Sequence, residues 1–93
     1  MIFLKSNDRL LAINEIKIVK RLVEDGQKNL VTRYFVVLVP ATNNLPNCVL
    51  ITFGSYEPAC DYLAIIAEEI TKRNENYVFY TGEYPTPLDD LVK

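Results

Sequence analysis

The fold of this 93-residue chain follows from six consecutive apolar residues, Tyr34-Phe35-Val36-Val37-Leu38-Val39. β-Branched and aromatic types dominate the run, and its length is typical of a strand rather than a helix. The run lacks the polar–apolar alternation of a strand with one face in water, so we expect both of its faces to be covered. Pro40 ends the strand, because proline has no N–H to donate to a neighbouring strand.

Runs of strand-forming residues lie on both sides of this segment, separated by residues typical of turns. Asp25-Gly26 predicts a hairpin turn before the central strand, and residues 41–47 after it have the composition of a loop. The strands predicted in this way cover residues 2–5, 9–13, 15–24, 30–39, 48–53 and 77–81.

One predicted strand has an irregular pattern. Over residues 15–24 the alternation of apolar and polar side chains breaks at Val19, Lys20 and Arg21. One extra residue moves every later side chain to the other face of a sheet. The break therefore predicts a β-bulge or a strong twist of the strand at these three positions.

Residues 57–73 form the clearest amphipathic helix of the chain. Pro58 suits the first turn, where its missing N–H costs no hydrogen bond. Charged residues occupy one face at 100° per residue, and Ile65 projects among them. The opposite, apolar face consists of Ala59, Leu63, Ile66 and Ile70.

This order of elements predicts the α+β class, because consecutive strands with short connections pair antiparallel and a lone helix covers one sheet face. We expect a curved antiparallel sheet or half-barrel of five to six strands packed against the helix at residues 57–73. Residues 1–93 are expected to form one domain, since 93 residues is the size of one domain. Residues 82–93, which contain Pro85 and Pro87, are expected to be a C-terminal tail with little regular structure, in which residues 88–92 could form a short turn.

The strand-rich front and late helix are similar to small uncharacterised bacterial and phage proteins, and more loosely resemble pleckstrin-homology-like barrels. The resemblance rests on a strand pair, on Asn14-Glu15-Ile16 opening the third strand, on a long hairpin, and on Phe53-Gly54-Ser55-Tyr56 leading into the helix. It covers about residues 2–73, with fewer strands than a pleckstrin-homology domain has. It implies a fold and no activity.

Composition argues against an enzyme. The chain has no histidine, only three glycines and only two cysteines, Cys48 and Cys60, so the usual catalytic base and a Gly-rich phosphate loop are missing. The paired carboxylates Glu68-Glu69 and Asp89-Asp90 are interpreted as solvated charge. The cysteine spacing fits no zinc pattern, and no cofactor is expected. Both thiols are expected to be free and reduced in a cytoplasmic protein, with Cys60 near a helix start.

The balance of residue types is that of a globular chain, with 49% apolar and 24% charged residues. No apolar run reaches the ~18–20 residues that cross a bilayer, so no membrane partner is expected. Net charge is −2, but residues 1–46 carry seven basic and four acidic side chains, and residues 47–93 carry three basic and eight acidic ones. A basic face could therefore meet an anion or the acidic face of a second copy.

Nucleic-acid binding is one alternative. Tyr34 and Phe35 could supply the aromatic platforms that single-strand binders place beside a cationic groove. The acidic whole-chain charge counts against this reading. The basic residues that it would use lie in one hairpin and are Lys17, Lys20, Arg21, Lys28 and Arg33.

The preferred hypothesis is a protein-interaction module that binds another protein or, as a homodimer, itself. One helix covers one sheet face, so there are three ways to cover the second face of the central strand: the sheet closes into a small barrel, the segment at residues 77–92 covers it, or a partner does. Tyrosine, of which the chain has six, is enriched at interfaces. A small ligand in the mouth of a half-barrel is a further alternative. The expected interface residues are Tyr34, Val36, Val37, Tyr62 and Ile65.

Overall fold

The computed structural model describes residues 1–72 and 76–91. It has the expected α+β class, with a five-stranded sheet, one long helix and a single helical turn near the C-terminus. In chain order the elements are β1 Ile2–Lys5, β2 Leu10–Glu24, β3 Leu30–Pro40, β4 Cys48–Phe53, α1 Tyr56–Lys72, β5 Tyr77–Tyr80 and α2 Leu88–Leu91.

The sheet is open and mixed, with the strand order β4-β3-β2-β1-β5. The pairs β1–β2, β2–β3 and β3–β4 are antiparallel, as expected for strands joined by short connections. The expectation of an antiparallel sheet is wrong at one edge, where β5 pairs parallel to β1 with Ile2 beside Tyr77. The reason is α1, which separates β5 from the other strands along the chain and provides the long connection that a parallel neighbour needs.

Two predicted strands, at residues 9–13 and 15–24, are one continuous strand. Ile13 pairs with Pro40 and Glu15 with Val39, so Asn14 is the extra residue of a β-bulge between them. Of the two explanations expected for residues 19–21, the bulge is wrong, because the β2–β3 register is regular from Glu15 to Glu24. The bulge at Asn14 instead lets Ile13 and Ile16, three positions apart, both pack in the cluster beneath α1.

The main core lies between α1 and one face of the sheet. The expected apolar face of the helix is confirmed: Ala59 and Ile66 are buried, and Leu63 and Ile70 are half-buried. The helix begins at Tyr56, and the expected end at residue 73 lies outside the described residues. The buried residues of this cluster are Leu4, Ile13, Leu38, Cys48, Ile66 and Phe79.

On the second face of the sheet, the C-terminal segment of the chain itself covers β3 and the adjoining part of β4. Leu88 is buried in a second cluster with Phe35 and Val37. The backbone of Pro87 forms a bridge with Cys48, and the Leu88 N–H donates to the Asn47 carbonyl at 2.9 Å. The short turn expected within residues 88–92 is present as α2, Leu88–Leu91, and its apolar side chain anchors it to the sheet. Residues 92 and 93 lie outside the described residues.

A candidate interaction surface

Ile65 lies on the outer face of α1, where the helical wheel places it. Its side chain is 61% exposed among charged neighbours one helical turn away. The Lys72 ammonium lies 3.2 Å from the Glu68 carboxylate on the same face. Burial of an isoleucine contributes roughly 1.5–3 kcal/mol, so this residue is a candidate contact.

Tyr34 and Tyr62 lie at the seam between helix and sheet. The Tyr34 ring centroid is 5.6 Å from that of Tyr56, and the Tyr62 centroid is 5.7 Å from that of Phe53. Burial raises the pKa of Tyr62, and the nearby Tyr77 raises it further. Both expected interface tyrosines are half-buried and fix the start of α1 against β3 and β4.

Val36 and Val37 have no exposed surface. The two side chains point to opposite faces of β3, because successive strand residues alternate. Val37 packs in the cluster that contains Leu88, so the chain's own C-terminal segment covers it. Of the five expected interface residues, Ile65 is the one that the structure leaves largely exposed.

The β2–β3 hairpin extends beyond the other strands as a two-stranded arm, defined here as residues 20–33. β4 pairs with β3 from Leu38 to Tyr34, and β1 pairs with β2 at residues 10–13. Leu22 is 62% exposed and Leu30 is 67% exposed. Two large apolar side chains therefore lie in water at the end of the arm.

These leucines share the sheet face that carries α1. Ile16 packs in the cluster beneath α1, and alternation places Leu22 on the same face. Leu30 pairs with Glu24, which keeps it on that face as well. Sequence reasoning missed this pair, although extending the alternation from Ile16 would have found Leu22.

The five basic hairpin residues do not form a single patch. Lys17, Arg21 and Arg33 lie on the face opposite α1, and Lys20 lies on the α1 face. Lys28 is in the hairpin turn, where its φ of 63° is in the left-handed region. The expected hairpin turn is therefore confirmed, with the positive φ at Lys28 rather than at the glycine of Asp25-Gly26.

On the face opposite α1, Arg21 pairs directly with Arg33. Like charges directly opposite one another destabilise a strand pair, and a bound anion would relieve that repulsion. The two expected aromatic platforms are not on this surface: Phe35 is buried and Tyr34 contacts Tyr56 on the α1 face. The arrangement suits a small anionic group better than stacked bases.

A groove of about 370 Å³ lies where β1 begins beside β2. Asn14 and Glu15 are its polar residues, and its volume is within the range of small-molecule sites. Such a groove could bind an apolar group next to the bulge. Its apolar walls are Ile2, Ile16, Leu63, Ile66, Ala67 and Ile70.

Both cysteines are free thiols. Cys48 is completely buried; desolvation raises its pKa, with partial opposition from hydrogen bonding to its own backbone and Tyr84. Cys60 is half-buried near the start of α1. Among residues 1–72 and 76–91, no three cysteine, aspartate or glutamate side chains are grouped to hold a metal ion.

Comparison with known proteins returns no matching family model, no matching curated protein and no matching solved structure. In the part of the chain that the structure describes, no helix is long and apolar enough to span a membrane.

Proposed function

We propose that this chain is a small protein-interaction module that associates with a second copy of itself. The observation that carries the proposal is the exposure of Ile65, Leu22 and Leu30 on the side of the molecule that carries α1. A single exposed aliphatic residue is ordinary, but several on one side are typical of an interaction surface. Closed symmetric dimers are the commonest oligomers, so a second copy is the simplest partner.

Sedimentation velocity over a range of concentrations up to about 100 μM tests the proposal, since that range detects even weak dimers. We expect a concentration-dependent dimer that Ile65→Asp weakens strongly, because a carboxylate would be buried without a partner. Leu10→Asp is the matched control: Leu10 is also 61% exposed. It lies on the other face of the sheet, opposite Lys5 of β1.

A monomer at every concentration would overturn self-association. Equal effects of the two substitutions would show that association does not use the outer face of α1.

A second candidate function is binding of a nucleic-acid backbone by Lys17, Arg21 and Arg33. Arg21 and Arg33 are cross-strand neighbours on β2 and β3. This pairing supports the candidate, because a phosphate group would neutralise the two guanidinium groups. Affinity for a single strand should then fall with salt, with a slope of about −0.7 per phosphate contact. Arg21→Glu should abolish binding, and Lys72→Glu on the outer face of α1 should leave it unchanged. No binding at low salt would exclude this candidate.

A further inference from the structure

Residues 85–91 lie against the outer edge of β4 in the way that a peptide ligand adds to a sheet. The Val49 N–H donates to the Thr86 carbonyl, and the Leu88 N–H donates to the Asn47 carbonyl, each at 2.9 Å. These two hydrogen bonds flank the antiparallel bridge described above. Peptides that add to a sheet edge are bound by the same two elements, main-chain hydrogen bonds and a pocket for a side chain.

One side chain anchors this segment. Leu88 is the only buried side chain among residues 85–91, and it packs in the second cluster with Phe35 and Val37. In the part of the chain that the structure describes, this cluster shares no buried residue with the main core beneath α1. The main core is therefore unchanged when residues 85–91 leave the surface.

The chain just before the segment is held by a different contact. Tyr84 packs against the main core, and the guanidinium carbon of Arg9 lies 4.8 Å from the centroid of its ring. Tyr84 can therefore stay in place while residues 85–91 detach, with Pro85 as the hinge between them.

The sheet face beneath the segment is basic. Lys17 lies directly opposite Val37, which contacts the cluster of Leu88. The segment continues after Leu88 with the exposed acidic residues Asp89 and Asp90. A leucine followed by acidic residues therefore complements this face in both polarity and charge. The charged residues that β2 and β3 place on it are Lys17, Arg21 and Arg33, and one acid, Glu15, 3.9 Å from Lys17.

We infer that the outer edge of β4 and the adjoining face of β3 form a binding site for an extended peptide of a partner protein, and that residues 85–91 occupy this site in the free chain. The peptide that fits has a leucine after a proline and before acidic residues, as residues 87–90 have. This site is on the face opposite α1, so it goes beyond the self-association proposed above. The chain's own segment limits binding, because a partner binds only the chains in which the segment has detached.

Hydrogen exchange in the wild-type chain tests the detachment. The Val49 N–H is protected by its bond to the segment, so detachment exposes it to solvent without unfolding the sheet. We expect this N–H to exchange at least ~10-fold faster than the amides at the centre of β3. Exchange of the Val49 N–H as slow as that of the central amides would overturn the inference.

A synthetic peptide of residues 84–91 tests the site itself. In an NMR titration it should bind the Leu88→Ala protein at least ~10-fold more tightly than the wild type, because the variant lacks the anchor of its own segment. The amides of Asn47 and Val49 should shift on binding. A peptide carrying Leu88→Asp should not bind. The matched control is a peptide carrying Leu91→Asp, which should bind normally because Leu91 is 42% exposed in the chain.

Three results of the titration would overturn the inference: no binding by the Leu88→Ala protein, equal binding by that variant and the wild type, or shifts confined to other surfaces. Circular dichroism checks that the variant is folded. If it is unfolded alone, the peptide should restore its folded spectrum, and no recovery would also overturn the inference. All of these results are independent of whether the wild-type chain dimerises, which sedimentation measures.

Discussion

Leu38 lies at the centre of the main core and has no exposed surface. Removing most of a buried leucine loses transfer free energy and leaves a cavity, because the backbone of a paired strand relaxes little. We therefore expect Leu38→Ala to lower the free energy of unfolding by ~2–5 kcal/mol. Leu10→Ala is the control and should change it by less than ~0.5 kcal/mol, since that side chain is mostly in water. Urea denaturation of both variants gives the comparison, and equal losses would contradict the assigned core.

A buried thiol links the stability of the fold to alkaline pH. Burial raises the pKa of Cys48 above its ordinary value of 9.0, so the unfolded chain loses the thiol proton first as pH rises. The contribution of Cys48 to the free energy of unfolding should be constant below pH 9.0, the ordinary pKa of the thiol. That contribution should decline as pH rises from there through the pKa of the thiol in the folded chain. The pKa of Tyr84 is also raised, mainly by burial. Urea denaturation at rising pH should show a shallower decline for Cys48→Ala than for the wild type, and parallel declines would contradict the assignment.

Among the secondary-structure elements, the long helix is the one that neighbouring residues predict most completely. The helix repeats every three to four residues, so the buried Ala59 and Ile66 and the exposed Ile65 follow from spacing alone. The β-bulge or strong twist predicted at residues 19–21 rests on Val19, an apolar residue that breaks the alternation of apolar and polar side chains. Val19 is apolar for another reason: it packs in the second cluster, which forms only when Leu88 arrives from the far end of the chain.

The bulge itself can be tested by deletion. Without Asn14, Ile13 and Glu15 become neighbours in regular alternation, and Ile16 keeps its place beneath α1. Deletion of Asn14 should therefore leave a folded protein with modestly changed stability. Deletion of Val19 should destabilise the protein strongly, because it moves the residues from 20 to 24 to the wrong faces. Circular dichroism and thermal denaturation distinguish the two deletions, and similar behaviour would contradict the assigned register.

At the scale of the whole molecule, the sequence predicts that β3 is covered on both faces and does not predict what covers it. A closed barrel, the C-terminal segment or a partner chain would each satisfy that requirement. The parallel position of β5 was not predictable for the same reason: four residues, Tyr77–Tyr80, carry no local signal for which edge they join. One part of the candidate surface is predictable from the sequence, because the spacing of residues along the helix places Ile65 on the outer face of α1. The exposure of Leu22 is not, because it depends on where the neighbouring strands β1 and β4 end.

Leu88 is the side chain by which the C-terminal segment closes the second face. It is 7% exposed against Phe35 and Val37, whereas Leu91, three residues later in the same helical turn, is 42% exposed. A carboxylate at position 88 would be buried without a partner and would uncover two apolar side chains of the central strand. We expect Leu88→Asp to lower the free energy of unfolding by ~3 kcal/mol or more and to promote aggregation, because the uncovered face of β3 is then exposed. Leu91→Asp adds the same charge and should have little effect on either property. Urea denaturation and light scattering compare the two variants, and an equally stable Leu88→Asp protein would mean that the segment does not complete the core.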